Sequence, residues 1–487
     1  MDRADHARAR HVPASTWQSR YVAQVIERFY QAVQQLLDRD GGPTSADELA
    51  DLGVWATELF GGEPLERMRE LPPRDALAEL RQRCLDAATV RTLDDPALAD
   101  ALAVAVVGKL GANHLARLLA PAYPRLRVLD LGRCRLQVAQ LAAVCASPGF
   151  ATVERLDVGG NTLRDEGAAV LARATAFPAL RALDVGYTRM TTAGIAMLAN
   201  SPQLAGLRAW HSGTDKLGPD VAAVLARGSA LANLRGLSLH GHRIGKAGLV
   251  ELVSAPVFRE LRTLRVMENR LTDAAVEALA ASPAMQHLEE LRFRLEPLTS
   301  LSLIAIARSP HLRRLRRLQM SQCRLTKDGL GALAQSELRL HELDIHANAN
   351  ISSLAQLATP AFGDLRKLDL GTCYLGDDAI DELARITAWP KLEWLGLEHT
   401  NLTDRAIDAL VRWPQLRRLR TLRLGTNEIT AAGLERLVHT PGLRLEVLEL
   451  WQTGCASQAR EIVAASPLAG MRVETAMYYA PPAPWID

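Results

Sequence analysis

The sequence lacks long apolar runs, so it offers no candidate for a membrane-spanning helix. Its longest runs, such as residues 101–107, fall far short of the roughly 20 apolar residues that cross a bilayer. The polar start, residues 1–6, has no apolar segment of the kind found in signal peptides. These absences predict a cytoplasmic protein with no membrane partner. Secretion into a host cell by a route that reads no cleavable signal stays compatible with them.

An excess of one sign of charge is also missing. The formal net charge is only +2, and acidic and basic residues are interspersed along the chain. This balance gives no reason to expect a nucleic-acid partner. The 24 prolines and 33 glycines form no long low-complexity run. At 487 residues the chain exceeds one ordinary hydrophobic core, so it must contain several domains or a repeat array.

Motifs for catalysis and metal binding are absent as well. The chain has no glycine-rich phosphate loop, G-x-S-x-G elbow, H-E-x-x-H helix or C-x-x-C pair. His240 and His242 resemble a metal-binding pair, but they fall at positions of the repeat described below whose side chains should diverge. We therefore expect a protein that is not an enzyme and that holds no cofactor or metal ion.

One unit recurs through most of the chain, and residues 365–384 show it in full. They read L-x-x-L-x-L-x-x-C-x-L, the strand-and-turn signature of a leucine-rich repeat, followed by apolar residues at helical spacing. The second leucine of the signature marks about 13 copies with a period near 27 residues, which leaves room for a full helix in each copy. These markers are Leu129, Leu156, Leu183, Leu207, Leu237, Leu264, Leu291, Leu318, Leu343, Leu368, Leu395, Leu422 and Leu448.

The repeats predict an α/β fold, a leucine-rich-repeat horseshoe with a parallel concave sheet and convex helices. We place this array at residues 122–470. Residues 1–121 lack the repeat and show helical periodicity, including a helix over residues 98–119, and we expect them to form an N-terminal helical cap or module. Residues 471–487 should start with a short strand and then cover the last repeat as a C-terminal cap.

The cysteines fit the same repeat. Cys134, Cys323 and Cys373 occupy the turn position at which the signature has Asn or Cys. The latter two lie two repeats apart, roughly 10 Å at a strand spacing of about 4.8 Å, whereas disulfide-bonded Cα atoms approach within about 7 Å. We expect buried, reduced thiols, which fit a reducing compartment.

The recurring signature resembles the ribonuclease-inhibitor-like subfamily of leucine-rich repeats over roughly residues 122–470. The helical halves, as in residues 165–172 and 327–334, are similar to the repeats of GALA-type effectors of plant-pathogenic bacteria. The resemblance implies binding of another macromolecule, usually a protein, on the concave face, and it implies no catalysis. The alanine- and arginine-rich composition agrees with a bacterial source.

The signature also identifies the side chains that face the groove, at one residue before, one after and three after each marker. In the first three repeats Asp130, Asp157 and Asp184 line up, either as a solvated acidic patch or as carboxylates that share a cation or raise one another's pKa. A basic strip follows, and then a mixture of acidic and aromatic side chains. Trp, Arg and Met are typical of recognition surfaces. The predicted partner-binding residues are Arg208, Trp210, His240, Arg265, Met267, Arg292, Arg294, Arg317, His346, Trp394, Glu398 and Trp451.

Two repeats look irregular, which supports this choice of surface. The marker after Leu207 follows 30 residues later, and Pro297 stands where the turn of another repeat is expected. Insertions in solenoids map to loops on one face, often the binding face.

Two functional hypotheses follow. The favoured one is a monomeric, non-enzymatic solenoid that binds a partner protein on its concave face, as a bacterial effector or an intracellular scaffold. The alternative is a substrate-selecting adaptor of a ubiquitin-ligase-type system that is recruited through the N-terminal helices. A weaker third hypothesis, nucleic-acid binding on the strip from Arg208 to Arg317, is opposed by the aspartates on either side of it.

Overall fold

The computed structural model describes residues 29, 30, 33, 89, 90, 98–106 and 108–475. The helices predicted over residues 15–37, 45–59 and 77–85 lie outside the described residues, except that Phe29, Tyr30 and Val33 are helical and buried. The aromatic and proline-rich tail after residue 475 also lies outside them. The chain divides into two compact units. Unit 1 runs to Asp215 and includes residues 228–233, and unit 2 holds residues 216–227 and continues from Leu234.

Each repeat forms a short strand because the leucines of its signature alternate with groove residues and pack under the sheet. The marker leucines pair with one another across neighbouring strands, as Leu129 does with Leu156 and Leu368 does with Leu395. Their side chains are between 0% and 2% exposed, so each marker contributes to one continuous core within its unit. The predicted leucine-rich-repeat α/β class is confirmed in both units.

Unit 1 contains six parallel strands in chain order. Its helices lie between consecutive strands, and α3 packs against α4. The strands are β1 (Thr89–Val90), β2 (Ala103–Ala105), β3 (Val128–Asp130), β4 (Arg155–Asp157), β5 (Ala182–Asp184) and β6 (Ala209–Gly213), and the helices are α1 (Ala112–Leu119), α2 (Val138–Ala146), α3 (Arg164–Leu171) and α4 (Thr192–Ala199).

Unit 2 contains ten parallel strands in chain order, and its helices pack against the helices of adjacent repeats. The repeat after β11 has two short 3₁₀ turns, Ala355–Leu357 and Pro360–Phe362, in place of an α-helix. The strands are β7 (Gly236–His240), β8 (Thr263–Met267), β9 (Glu290–Arg294), β10 (Arg317–Ser321), β11 (Glu342–Asp344), β12 (Lys367–Asp369), β13 (Trp394–Gly396), β14 (Thr421–Arg423), β15 (Val447–Glu449) and β16 (Arg472–Glu474). The helices are α5 (Asp220–Ala226), α6 (Gly245–Ser254), α7 (Asp273–Ala281), α8 (Ser300–Ala307), α9 (Lys327–Ala334), α10 (Gly376–Leu383), α11 (Asp404–Arg412), α12 (Ala431–Val438) and α13 (Ala459–Ala464).

The sheet starts before residue 122, and the helix predicted over residues 98–119 is wrong in its first half. β2 pairs with β3 and β1 pairs with β2, so two strands precede the first recognised repeat. Only α1 is helical in this stretch, apart from a 3₁₀ turn at Leu98–Asp100. Leu102 and Val104 are buried at strand spacing, and the apolar run around them fits a strand as well as a helix. The short strand expected after residue 470 is β16.

The repeat containing Trp210 is in a different register from the predicted one. Trp210, not Leu207, pairs with the marker Leu183. Leu207 takes the first leucine position of the signature, three residues earlier, where Leu180 stands in the preceding repeat. The apparent spacing of 30 residues is therefore an artefact of choosing the wrong leucine, and Trp210 stands 27 residues after Leu183 and 27 before Leu237.

A ladder of hydrogen-bonding side chains follows the strands, five residues after each marker. Asn427 shows its chemistry, because its Nδ2 donates to the carbonyls of Leu397 (2.7 Å) and Leu424 (3.0 Å) while its Oδ1 accepts from backbone N–H groups. The ladder satisfies buried backbone groups where strands end. Its members are Cys134, Asn161, Thr188, Asp215, His242, Asn269, Glu296, Cys323, Asn348, Cys373, Thr400, Asn427 and Thr453.

The turn at Pro297 is intact, contrary to the expectation of a broken repeat. Glu296 takes the ladder position and is 2% exposed. Its carboxylate accepts hydrogen bonds from the backbone N–H groups of Asn269 and Leu271, the latter at 2.7 Å. Burial raises the pKa of Glu296 to about 7.

The described cysteines are free and buried, as expected. Burial raises the pKa of each of the ladder thiols, to about 11 for Cys134 and about 12 for Cys323 and Cys373. Across the residues that the structure describes, no helix has both the length and the apolar content needed to cross a membrane.

Candidate interaction face

The face of the sheet opposite the helices, here called the open face, corresponds to the predicted groove. It holds the residues one before, one after and three after each marker, and it is described separately for each unit. Ten of the twelve predicted binding residues stand at such positions of their strands, all of them in unit 2.

Trp210 and Arg208 are not open-face residues, and both predictions are wrong. In the corrected register Trp210 is the marker, is 0% exposed, and donates from Nε1 to Ser212 Oγ at 3.1 Å. Arg208 precedes β6, and its backbone N–H donates to the carbonyl of Arg181. The open-face residue of this repeat is His211, which sequence reasoning placed at the rim.

The open face of unit 1 carries a line of carboxylates. Asp130, Asp157 and Asp184 pair in register on β3, β4 and β5. Each Oδ1 accepts a hydrogen bond of 2.8 Å from the backbone N–H two residues later, at Gly132, Gly159 or Gly186. The Nε2 atom of His211 lies 4.0 Å from Asp184 Oδ1 at the end of the line.

The carboxylates of this line raise one another's pKa. Burial and the charges of Asp184 and Asp130 raise the pKa of Asp157 to about 7. Burial is the largest cause of the raised pKa of Asp130, with the charge of Asp184 adding to it. The middle carboxylate is affected most because it has an acidic neighbour on each side.

The open face of unit 2 is organised around one buried carboxylate. Glu290 is 3% exposed, and three arginines converge on it from β8, β9 and β10. The Nε atoms of Arg265 and Arg292 each lie 2.6 Å from Glu290 Oε1. Arg317 Nε lies 3.0 Å from Oε2. We call these four residues the arginine cluster.

Charge keeps the centre of the arginine cluster ionised. Burial alone would raise the pKa of Glu290, but the positive charges of Arg292, Arg265 and Arg317 hold it well below its usual range. Three guanidinium groups around one carboxylate leave the cluster with an excess of two positive charges. The exposed Arg294 lies on the same strand, and its Nε donates to Gln322 Oε1 at 3.0 Å.

The residues flanking the arginine cluster also stand on the open face. His240 Nε2 lies 3.0 Å from Glu268 Oε1, and Met267 is half-buried. His242, in contrast, is 0% exposed at a ladder position. The two histidines therefore lie on different sides of the strand end, as their spacing predicts.

A second cluster follows on the next strands, and it mixes carboxylates with a histidine and an arginine. His346 Nδ1 lies 3.8 Å from Asp369 Oδ1 and 3.9 Å from Glu398 Oε1. Arg423 Nη1 lies 3.0 Å from Glu398 Oε1, and its Nε lies 2.7 Å from Glu449 Oε2. We call His346, Asp369 and Glu398 the histidine–carboxylate cluster.

The pKa values of this cluster diverge because its members are buried side by side. Burial and the charge of Asp369 raise the pKa of Glu398 to about 7. Burial opposes a charged His346, but its contact with Asp369 and the charges of the nearby carboxylates raise its pKa. The neighbouring His346 in turn lowers the pKa of Asp369 in spite of burial.

Two tryptophans lie on the open face beyond this cluster. The ring of Trp394 has Lys367 Nζ at 4.6 Å and Arg423 Cζ at 5.5 Å from its centroid. Trp451 is 8% exposed, and its ring lies over Gly425, where a Cβ atom would come within 2.4 Å of it. Trp394 is the more accessible of the two, so it is the better candidate for contact with a partner.

The central role of Glu290 is the main feature that sequence reasoning missed. The signal was available, because Arg317 on the next strand pairs in register with Glu290, and Arg265 and Arg292 occupy neighbouring groove positions. Arg423 was likewise seen as a groove residue but not as the link between Glu398 and Glu449.

Comparisons with known proteins agree with the repeats. Residues 151–172 and 259–280 match the family model described as Leucine Rich repeat. A search of curated proteins finds no match. The fold and these matches define the class of the chain as a leucine-rich-repeat solenoid protein.

Solved structures with similarity to the chain include three from different settings. The crystal structure of the Rad7 and Elc1 complex in yeast is 19% identical, with 65% of this chain and 80% of that chain covered and a TM-score of 0.48. An internalin, InlF, from Listeria monocytogenes is 19% identical, with 82% and 95% covered and a TM-score of 0.37. The TLR13–ssRNA13 complex is 16% identical, with 74% and 54% covered and a TM-score of 0.42.

Proposed function

We propose that the open face of unit 2 binds a partner protein and that the arginine cluster contacts an acidic segment of that partner. The observation behind the proposal is the buried Glu290, which fixes three guanidinium groups on adjacent strands of the face. A solenoid with this face needs no catalytic group to perform its function.

The arginines are oriented so that they retain donors for a ligand. Arg265 and Arg292 use Nε to contact Glu290, and in the described part of the chain no protein acceptor is recorded for their Nη groups. A guanidinium whose position is already fixed loses less side-chain entropy when it binds a carboxylate. Because the cluster retains two excess positive charges, an acidic segment fits it better than a neutral one.

Trp394 supplies a second type of contact on the same face. Its ring is partly exposed, and Lys367 and Arg423 hold it from two sides. Tryptophan and arginine dominate the energetics of protein interfaces, since they bury a large area and lose little entropy. We infer that the partner buries an apolar side chain against Trp394 beside its acidic segment.

The test compares two double variants that remove the same charge from neighbouring places. Arg292→Ala/Arg294→Ala removes two arginines from the open face and leaves Glu290 with two partners. Arg313→Ala/Arg314→Ala is the matched control, because both side chains are exposed in the loop before β10 and off the open face. Each protein is used as bait in cell lysate, and captured proteins are re-bound in purified form. Circular dichroism checks that each variant is folded.

A partner that binds wild type and the control variant, and binds the open-face variant at least about 10-fold more weakly, supports the proposal. Its affinity should fall as salt is raised. Equal binding by the two double variants contradicts it. Retention of nucleic acid instead of protein on the wild-type bait would contradict it as well and would favour a different class of ligand.

We further propose that the chain belongs to the ribonuclease-inhibitor-like subfamily and acts as a monomeric bacterial effector or scaffold in the cytoplasm. The period of 27 residues and the full helices of most repeats support the subfamily. The role of a ubiquitin-ligase-type adaptor depends on the predicted N-terminal helices, and we make no proposal for it.

A further inference from the structure

We propose that His346, Asp369 and Glu398 form a binding site for a divalent transition-metal ion such as Zn²⁺ on the open face of unit 2. The site is separate from the arginine cluster, and the inference does not depend on a partner protein. It rests on four observations: the spacing of the ligand atoms, the free space between them, an unpaired buried oxygen, and the local charge.

The spacing of the three groups suits a shared ion better than direct hydrogen bonds. His346 Nδ1 lies 3.8 Å from Asp369 Oδ1 and 3.9 Å from Glu398 Oε1, and all three ligand atoms lie within 4.8 Å of one another. Hydrogen bonds between such atoms are about 3 Å long. Two ligands that are each about 2.1 Å from one Zn²⁺ ion can be up to about 4.2 Å apart. The observed distances match this limit or need only a small closure.

The backbone beneath the ligands leaves room at this point. A Cβ atom at Gly371 would lie 2.7 Å from His346 Nδ1 and 2.9 Å from Glu398 Oε1. A Cβ atom at Gly396 would lie 2.7 Å from Asp369 Oδ1. The ligand atoms therefore surround a small space that exists because the strands carry glycine at these two positions.

One oxygen of the cluster is buried without a partner. Glu398 is 4% exposed, and Oε2 accepts no hydrogen bond from the described residues, whereas Oε1 lies 3.0 Å from Arg423 Nη1. A buried carboxylate oxygen without a donor is costly, and a metal ion would remove this cost. Arg423 can keep one oxygen of Glu398 while the ion takes the other, since carboxylate ligands are commonly hydrogen-bonded in this way.

The surrounding charge favours a cation in spite of Arg423. Besides Asp369 and Glu398, the carboxylates of Asp344 and Glu449 stand on the adjacent strands. Arg423 and Lys367 are the fixed positive charges on these strands, so four carboxylates face two cations. A neutral imidazole nitrogen with two carboxylates is a ligand set that Zn²⁺ accepts, and the open side of the face leaves a position for water or for a partner's side chain.

The experiment is isothermal titration calorimetry of ZnCl₂ into the full chain after treatment with EDTA. We expect saturable binding of one ion to the wild type, and loss or a weakening of more than about 10-fold for His346→Ala and for Glu398→Gln. Gly371→Ala tests the space itself and should also weaken binding, since its Cβ atom would occupy the position between the ligands.

His240→Ala is the matched control, because His240 also stands on the open face of unit 2 but contacts a single carboxylate, that of Glu268. It should bind Zn²⁺ as the wild type does. Thermal unfolding without metal shows whether each variant is folded, and ZnCl₂ should raise the melting temperature of the wild type and of His240→Ala alone. Absence of saturable binding to the wild type, or unchanged binding to His346→Ala, would overturn the proposal.

Discussion

At the scale of single residues, the open face shows how one buried carboxylate determines the geometry of several exposed side chains. Arginines on a strand are usually mobile in solvent and contribute little. Around Glu290 they become fixed, because each shares an oxygen of a carboxylate that water cannot reach. The positions of the arginine side chains therefore depend on a residue that a partner would barely touch.

The first prediction concerns Glu290→Gln. The change removes the charge that three arginines share and leaves their mutual repulsion, so we expect a loss of about 2 kcal/mol in the free energy of unfolding. Urea denaturation followed by circular dichroism measures it. Glu342→Gln is the control, since Glu342 takes the same position of its repeat two strands later and pairs in register with Arg317 from the other side. A loss of similar size in both variants would show that Glu290 has no special role.

The second prediction concerns pH and Asp157. Because the folded pKa is raised to about 7, the protonated carboxyl favours the folded state below the unfolded value near 4, and this contribution is lost as pH rises toward 7. Asp157→Asn keeps the acceptor for the N–H of Gly159 and removes the charge. It should stabilise the protein by on the order of 1–2 kcal/mol at pH 8 and have little effect at pH 4.

Urea denaturation of wild type and Asp157→Asn at the two pH values measures this difference, with the low-pH pair as the internal control. The same gain at both pH values would mean that repulsion along the aspartate line is not its cause.

At the scale of the element, each repeat depends on one polar side chain at the end of its strand. Asparagine is well suited to this ladder because it donates and accepts at the same time. Cysteine, threonine, histidine and carboxylates replace it in other repeats. The substitutions explain why the signature is recognisable in sequence although its polar position varies.

The third prediction tests the ladder with Asn427→Ala. The variant leaves the carbonyls of Leu397 and Leu424 and the N–H of Leu402 without their partner, so we expect a loss of about 2–3 kcal/mol. Asn350→Ala is the control, because this side chain is exposed two residues after the ladder residue Asn348. Chemical denaturation should separate the two variants clearly, and equal stabilities would refute a structural role for the ladder.

The element scale also shows what could be predicted from the sequence. Strand positions were predictable wherever leucine occupied the marker position, because period and alternation then agree. They were not where Trp210 replaced leucine, since Leu207 satisfied the same pattern three residues earlier. The strands β1 and β2 were missed because their residues do not spell the signature, and the histidine–carboxylate cluster was missed because its members come from three repeats.

At the scale of the molecule, a repeat array stores its stability between neighbours. In unit 2, strands pair with the strands before and after them, and helices pack against the helices of adjacent repeats. In such an array damage should spread over nearby repeats before it reaches distant ones, unlike the all-or-none unfolding of a small globular domain.

The fourth prediction applies this reasoning to Leu395→Ala in β13. Leu395 is 0% exposed, and its truncation leaves a cavity that costs about 2–5 kcal/mol. Hydrogen–deuterium exchange read by mass spectrometry should show faster exchange in β12, β13 and β14, with β7 and β8 of the same unit nearly unchanged. Leu301→Ala is the control, since this leucine is 64% exposed and should leave exchange as it is in the wild type. If exchange instead rises equally in all strands from β7 to β16, unit 2 opens as one block, and its cooperativity extends well beyond nearest neighbours.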